Sequence, residues 1–190
     1  LSNVSISAQA PIEKPLQDRN FDKLVDKFDK KVYQTVKGEW RLKLLKEDLA
    51  KLQQRPAMSV WDVGCGFAQI GQWLAEAGHD LTLCDLSHQM LLRAQANFAA
   101  QNLTGRFIEG SAQEVAQQLP NFDLVLFHAV LEWLAEPQAT LKTVADKVQP
   151  NGYLSLLFYN RNSVVIRNTL RGGWRLPYLL KDEYLGKGKK

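Results

Sequence analysis

A chain of 190 residues with 45% hydrophobic content and a formal net charge of +4 is long enough for one full-sized domain with a real core and too short for two. No apolar run approaches the roughly 18 residues that span a bilayer, and the N-terminus lacks the charged-then-apolar layout of a secretory signal, so a soluble, cytoplasmic protein is expected. The two cysteines, Cys65 and Cys84, have neither metal-ligand nor disulfide spacing, which argues against a zinc site and for a reducing compartment.

Residues 1–16 (LSNVSISAQAPIEKPL) are rich in Ser, Ala, Gln and Pro without a helical or strand period, and read as a flexible N-terminal arm. From Phe21 the pattern changes. FDKLVDKFDKKVY sets Phe21, Leu24, Val25, Phe28 and Val32 on one helical stripe, and GEWRLKLLKEDLAKL does the same with Trp40, Leu44, Leu45, Leu49 and Leu52. Residues 17–55 are therefore expected to be helical, with Arg41 beside the second stripe.

The stretch that organises the rest is VWDVGCGFAQ, Val60 to Gln69. Val60, Trp61 and Val63 are strand formers, while Gly64 and Gly66 permit a sharp turn and close approach of backbone to a ligand. Ile70, Trp73, Leu74 and Ala77 then recur at helical spacing. Strand, glycine turn and helix begin a doubly wound sheet, and Asp85, nineteen positions after Gly66 at the tip of the next strand, suits a carboxylate accepting from ribose hydroxyls. A lone G-x-G also marks ordinary strand-to-helix turns; Asp85 favours the nucleoside reading. A dinucleotide fingerprint would place a third glycine where Gln69 stands. With Asp62, Gly64 and Gly66 in place and Ala68 where the last glycine usually sits, the stretch resembles motif I, hhDhGxGxG, of the class I S-adenosylmethionine-dependent methyltransferases. The resemblance implies an α/β, Rossmann-like, doubly wound and mostly parallel sheet. It also turns residues 17–55 into a candidate lid over the cofactor, the alternative being plain packing on the sheet, and gives Arg41 a partner in the methionyl carboxylate.

Farther on, Leu81 to Cys84 form a strand, and a helix carrying Met90, Leu91, Ala94 and Phe98 starts at a Ser87 cap. Gly105 to Glu109 read as a third strand. In the following loop, Ala112 and Gln113 occupy the place where this superfamily lays backbone and a polar side chain against adenine; Gln113 is otherwise a solvated first-turn residue. Asp123 opens a fourth strand ending at His128, which either contacts the cofactor or acceptor or is a satisfied structural histidine. Leu131, Trp133 and Leu134 follow in a short helix or turn. A helix over residues 139–148 leads through Pro150, Asn151 and Gly152 into a fifth strand, YLSLLFYN, with Tyr159 and Asn160 at its ligand-side end. Residues 56–160 thus read as the cofactor-binding core. Residues 161–190 carry four Arg and four Lys against Asp182 and Glu183, a local excess of +6 with Trp174, Tyr178 and Tyr184 interleaved, and read either as a solvated tail or as the start of a substrate-binding insertion. Five strands are found where a class I fold normally has seven, so the final strands are expected to be absent here, either because the chain ends before the last β-hairpin or because the sheet is a reduced one.

QDRNFD, KGEWR, VGCG, CDLSHQM, FHAVLEWLAEP and LSLLFYN together resemble the bacterial tRNA 5-carboxymethoxyuridine methyltransferase family, from about Gln17 to the end of the chain. The resemblance implies transfer of a methyl group from S-adenosylmethionine to the carboxylate of 5-carboxymethoxyuridine at the wobble position, in the anticodon region of tRNA. Carried over by motif, the cofactor contacts are Arg41, Gly64 with Cys65, Gly66, Asp85, Ala112 with Gln113, and His128. Tyr159, Asn160, Arg171 and Arg175 are substrate candidates, the two arginines for tRNA phosphates. A carboxylate with a pKa near 4 is already ionised at neutral pH, so no general base is expected and positioning supplies the catalysis. No metal and no membrane are implied, and the oligomeric state is open. The other readings are a methyltransferase for a small or carrier-bound acid and a non-catalytic cofactor-binding module.

Overall fold

The computed structural model of the chain describes residues 17–25 and 35–170. The N-terminal arm, the larger part of the first expected helix, and Arg171 and Arg175 lie outside the described residues. Residues Gln17–Phe158 form one compact unit. In it β1 (Ser59–Val63), β2 (Asp80–Asp85), β3 (Arg106–Glu109), β4 (Phe122–His128) and β5 (Val148–Leu157) make one sheet in the order β3-β2-β1-β4-β5, every neighbouring pair parallel. The order reverses between β1 and β4, as in the expected doubly wound fold. Parallel strands need covering on both faces. Helices α1 (Val36–Gln53), α2 (Gln69–Glu76) and α3 (His88–Ala100) pack Leu45, Leu49, Ile70, Leu74 and Phe98 with Val60, Leu83 and Leu124 on one face. Helices α4 (Ala112–Ala116) and α5 (Pro137–Ala145) pack Val115 and Val144 with Trp61, Val63 and Phe127 on the other. The period-two alternation of β1 divides these cores: Val60 and Trp61 point to opposite faces and both are fully buried.

Caps fix where the helices begin. The Ser87 hydroxyl accepts from Met90 N as the sequence suggested, and Ser111 with Glu114 forms a capping box at α4. Three expectations need correcting. The inward stripe of α1 runs through Gly38, Leu45 and Leu49, leaving Trp40 57% and Leu44 55% exposed; two adjacent stripes of this helix are apolar, and periodicity alone does not choose between them. Phe21 precedes a 3-10 turn over Asp22–Leu24. The fifth strand starts at Val148, and the preceding helix, begun by Pro137 at its first position, ends at Ala145. Pro150, Asn151 and Gly152 are an irregularity inside β5, where the register to β4 shifts between Phe122 and Leu124. Asn151 takes φ 64°, and a Cβ on Gly152 would lie 2.9 Å from the Asp123 carbonyl oxygen.

Tyr159, Asn160 and helix α6 (Arg161–Thr169) belong to a second unit. There the Asn160 side chain caps α6 by accepting from Asn162 N.

Candidate functional site

A cleft of about 820 Å³ opens at the carboxyl ends of β1 and β4, the point where the strand order reverses. Its floor is the turn after β1. Gly64 and Gly66 take φ +63° and +54°, and a Cβ on Gly64 would lie 2.6 Å from Val130 Cγ2. The turn is tied to β2 by Cys65 N donating to Cys84 O at 2.9 Å and Gly66 N donating to Asp85 Oδ2 at 2.9 Å. Ala68, buried at the start of α2, adopts φ 55°, the left-handed conformation a glycine would supply at less strain.

Asp85 receives a second backbone donor, Ser87 N to Oδ1 at 2.8 Å. Each carboxylate oxygen therefore accepts one bond from the chain and retains acceptor capacity toward the cleft. Burial raises the Asp85 pKa, and the N–H groups of Ser87 and Gly66 offset part of that rise. Gly110, Ser111 and Ala112, at the end of β3, complete this side of the cleft. Burial keeps the Cys65 thiol well above its ordinary range and pushes Cys84 up to about 12, so both are protonated at neutral pH and neither is a nucleophile.

Behind the turn lies a second hollow of about 480 Å³, lined by Arg41 from α1, Asp62 from β1, Cys65, Gln69 and His128. Arg41, Gly64 and His128 face both spaces. Asp62 is buried under α2, and Gly71 makes room for it: a Cβ there would lie 3.0 Å from Asp62 Oδ2. Burial, and then the neighbouring Asp85 charge, raise the Asp62 pKa to about 7. His128 Nε2 is 2.8 Å from Ser155 Oγ on β5. Burial and then the Arg41 charge lower its pKa to about 4, so the imidazole is neutral at physiological pH. Among the described residues Asp62 has no hydrogen-bond partner, and Arg41 has no ion-pair partner.

Residues 18–22 cross the cleft as a strap held at both rims. On one rim Asp18 Oδ1 accepts from Ala135 N at 2.8 Å and Arg19 N donates to Trp133 O at 3.0 Å. On the other, Asn20 Nδ2 donates to Leu86 O at 3.0 Å, and Asp22 Oδ1 accepts from Ser87 Oγ at 2.6 Å and Gln89 N at 3.1 Å. The Arg19 guanidinium lies 5.4 Å from the Phe21 ring centroid and 5.1 Å from that of Trp133. The two rings meet edge to face at 86°.

Of the residues singled out in the sequence, the structure brings Arg41, Gly64, Gly66, Asp85, Ala112 and His128 to the main cleft and Cys65 to the hollow behind it. Gln113 is turned away: its Nε2 donates to Thr140 Oγ1 on α5, leaving its buried Oε1 without a partner. Tyr159 and Asn160 follow the end of β5 at Leu157 and lie in the second unit. Sequence reasoning passed over Asp62 as a chemical group, although a carboxylate among strand formers buried on both faces is itself a signal. It also passed over Arg19 and Trp133, which no periodicity marks.

Residues 61–154 match the methyltransferase domain family. The chain carries a class I methyltransferase domain. Over 165 residues it is 41% identical to the tRNA 5-carboxymethoxyuridine methyltransferase of Escherichia coli (strain K12), a match covering 84% of this chain and 63% of that protein. The chain therefore spans a little under two thirds of the length of that relative. Two solved structures share the fold of the methyltransferase domain at 21% identity. The PH0226 protein from Pyrococcus horikoshii OT3 has a TM-score of 0.65, with 78% of this chain and 71% of that one covered. The magnesium protoporphyrin IX methyltransferase of Synechocystis PCC 6803, solved with bound S-adenosylmethionine, has a TM-score of 0.57 and 68% of each chain covered. Among the described residues no helix is long and apolar enough to cross a membrane, and no cluster of side chains could hold a metal ion.

Proposed function

We propose that the protein is a cytoplasmic S-adenosylmethionine-dependent methyltransferase that esterifies the carboxylate of 5-carboxymethoxyuridine at the wobble position of tRNA. The observation that carries this reading is the 41% identity over 84% of the chain to the E. coli tRNA 5-carboxymethoxyuridine methyltransferase.

The cleft chemistry fits the cofactor. A free amino-acid end carries one ammonium and one carboxylate, and the rear hollow presents a buried carboxylate, Asp62, and a guanidinium, Arg41, neither paired within the described protein. Asp85 keeps acceptor capacity for ribose hydroxyls beside the Gly64–Gly66 turn, whose lack of Cβ atoms lets the sugar approach the backbone. Leu86, Met90 and Ala112 give apolar surface for a purine ring. Gln113, held by Thr140 away from the cleft, would reach an exocyclic amine only on releasing that bond. Bound there, the cofactor supplies a methyl group on a positively charged sulfur, and its transfer to a carboxylate oxygen leaves a neutral thioether with no proton to move.

The protein's task is then to hold and align. An acceptor carboxylate is ionised at pH 7 without help, so neutral His128 has no proton to take and instead shapes the wall between the two spaces. The strap of residues 18–22 shields the reacting atoms from water. Tyr159 and Asn160 face the RNA in this reading, and Arg171 and Arg175 hold its phosphates.

The test incubates the complete protein with labelled S-adenosylmethionine and tRNA lacking the methyl ester, followed by nucleoside analysis. Label in the methyl ester of 5-carboxymethoxyuridine is the expected result. Cofactor binding with no esterified nucleoside in any tRNA pool would reject the assignment.

A further inference from the structure

Among the described residues two cationic side chains line the cleft, Arg19 and Arg41, and no lysine does. His128 is held neutral. Neither arginine has a carboxylate within ion-pair distance among the described residues. Arg41 also lines the rear hollow with Asp62, where the two opposite charges match an amino-acid end. Arg19 does not reach that hollow. It stands on the strap beside Trp133, from the loop that follows β4.

The setting of Arg19 is built rather than incidental. Its backbone is fixed by the bond to Trp133 O, and the residues on either side of it anchor opposite rims of the cleft. Its guanidinium lies over two ring faces set at right angles. Such contacts engage the face of a guanidinium and leave its in-plane N–H donors for an anion, already restricted in orientation. The Asp18 carboxylate next to it accepts from Ala135 N and forms no ion pair with it.

We propose that Arg19 is the acceptor-binding residue that recognises the carboxylate to be methylated, a role that rests on the acceptor assigned above. The reaction brings two carboxylates into one cleft, the amino-acid carboxylate of the cofactor and that of the acceptor; Arg41 serves the first and Arg19 the second. A guanidinium gripping both acceptor oxygens would suppress their attack. Held over the Phe21 and Trp133 rings, Arg19 takes one oxygen and orients the other toward the methyl group. The same contact sets specificity, because a wobble uridine without the carboxylate gains nothing from it.

The test compares two tRNAs, one carrying 5-carboxymethoxyuridine and one carrying 5-methoxyuridine at the same position, binding to the complete protein saturated with S-adenosylhomocysteine. One charge-assisted hydrogen bond predicts that wild type prefers the carboxylate-bearing tRNA by about tenfold to a hundredfold. Arg19→Gln is expected to bring this ratio close to one, and Arg19→Lys to restore part of it, with cofactor affinity and Tm unchanged because the side chain is exposed and the strap is held by other groups. A wild-type ratio near one, a ratio preserved in R19Q, or equal weakening of both tRNAs, as loss of a phosphate contact would give, overturns the assignment. So does loss of cofactor affinity in R19Q. If wild type forms no ester on the carboxylate-bearing tRNA, the acceptor reading itself falls; ester formation with the ratio intact in R19Q removes Arg19 alone.

Discussion

Asp62 and His128 line the same hollow and are shifted in opposite directions, so replacing Asp62 by Asn should reshape the pH dependence of stability in a defined way. The folded-state pKa of Asp62 is raised from 3.8 to about 7. Between those values the unfolded chain has released a proton that the folded chain still holds, so this group makes stability fall as pH rises. At about 1.4 kcal/mol per pH unit, the full loss is about 4 kcal/mol, complete just above pH 7. His128 runs the other way. Its pKa drops from 6.5 to about 4 on folding, so between those values the unfolded chain holds the extra proton and stability rises with pH, by about 3 kcal/mol in total. In wild type the two slopes largely cancel between pH 4 and 6.5. Asn has nearly the shape of a protonated carboxyl and does not ionise, so D62N removes one slope and leaves the other. The assay is urea denaturation of both proteins without cofactor at half-unit steps from pH 4 to 8, taking the difference in unfolding free energy at each pH. Every other titrating group contributes to both proteins and drops out of that difference to first order. The difference is expected to move in favour of D62N by about 4 kcal/mol from pH 4 to just above 7. A flat difference, or one that turns against D62N as pH rises, would refute the reasoning that burial, helped by the Asp85 charge, raises this carboxyl.

Gly64→Ala places a methyl 2.6 Å from Val130 Cγ2 at φ +63°; it should cost at least about 2 kcal/mol in urea denaturation and abolish cofactor binding by calorimetry. Asp85→Asn turns one acceptor into a donor facing the N–H of Gly66 or Ser87, and cofactor affinity is expected to fall by tenfold or more. His79 offers the contrast: it sits at the opposite end of β1, accepting from Met58 N through Nδ1 and reaching the Gln53 carbonyl through Nε2. Its replacement by Leu should lower stability by about 2 kcal/mol while leaving cofactor affinity unchanged. Reversing Arg171 and Arg175 to Glu should weaken tRNA binding and flatten its dependence on salt with cofactor affinity intact; unchanged tRNA affinity would remove both from the RNA-facing surface.

How much of this could be read from the chain depends on which residues carry local information. Val60 to Gln69 announces its own conformation, because β-branched residues, two glycines and a helical period each act within a few positions, and the structure returns strand, turn and helix there. His128 and Asp85 were legible for a topological reason: the carboxyl ends of the strands beside the point where the order reverses border the crevice. The start of β5 was not, since Pro150-Asn151-Gly152 satisfies every local rule for a turn and only its pairing with β4 shows that the chain continues as strand. The inward face of α1 escaped for a related reason, the choice between Trp40 and Gly38 being made by the sheet beneath.

The chemistry divides along the same line. The groups local rules could place, Gly64, Gly66 and Asp85, form the nucleoside side of the cleft. The groups that decide charge balance come from separate parts of the chain: Asp62 from mid-strand, Arg41 from α1, Arg19 from an irregular strap. No short-range pattern relates these three, and none of them has an ion-pair partner within the described residues. Arg19 and Arg41 line the cleft with Asp18 and Asp85, whose carboxylates accept from backbone N–H groups, and Asp62 lies in the hollow behind. On the acceptor proposed above, a neutral group would leave Arg19 without an anion to hold, and an acid would not, which is why the comparison of the two tRNAs is read at Arg19.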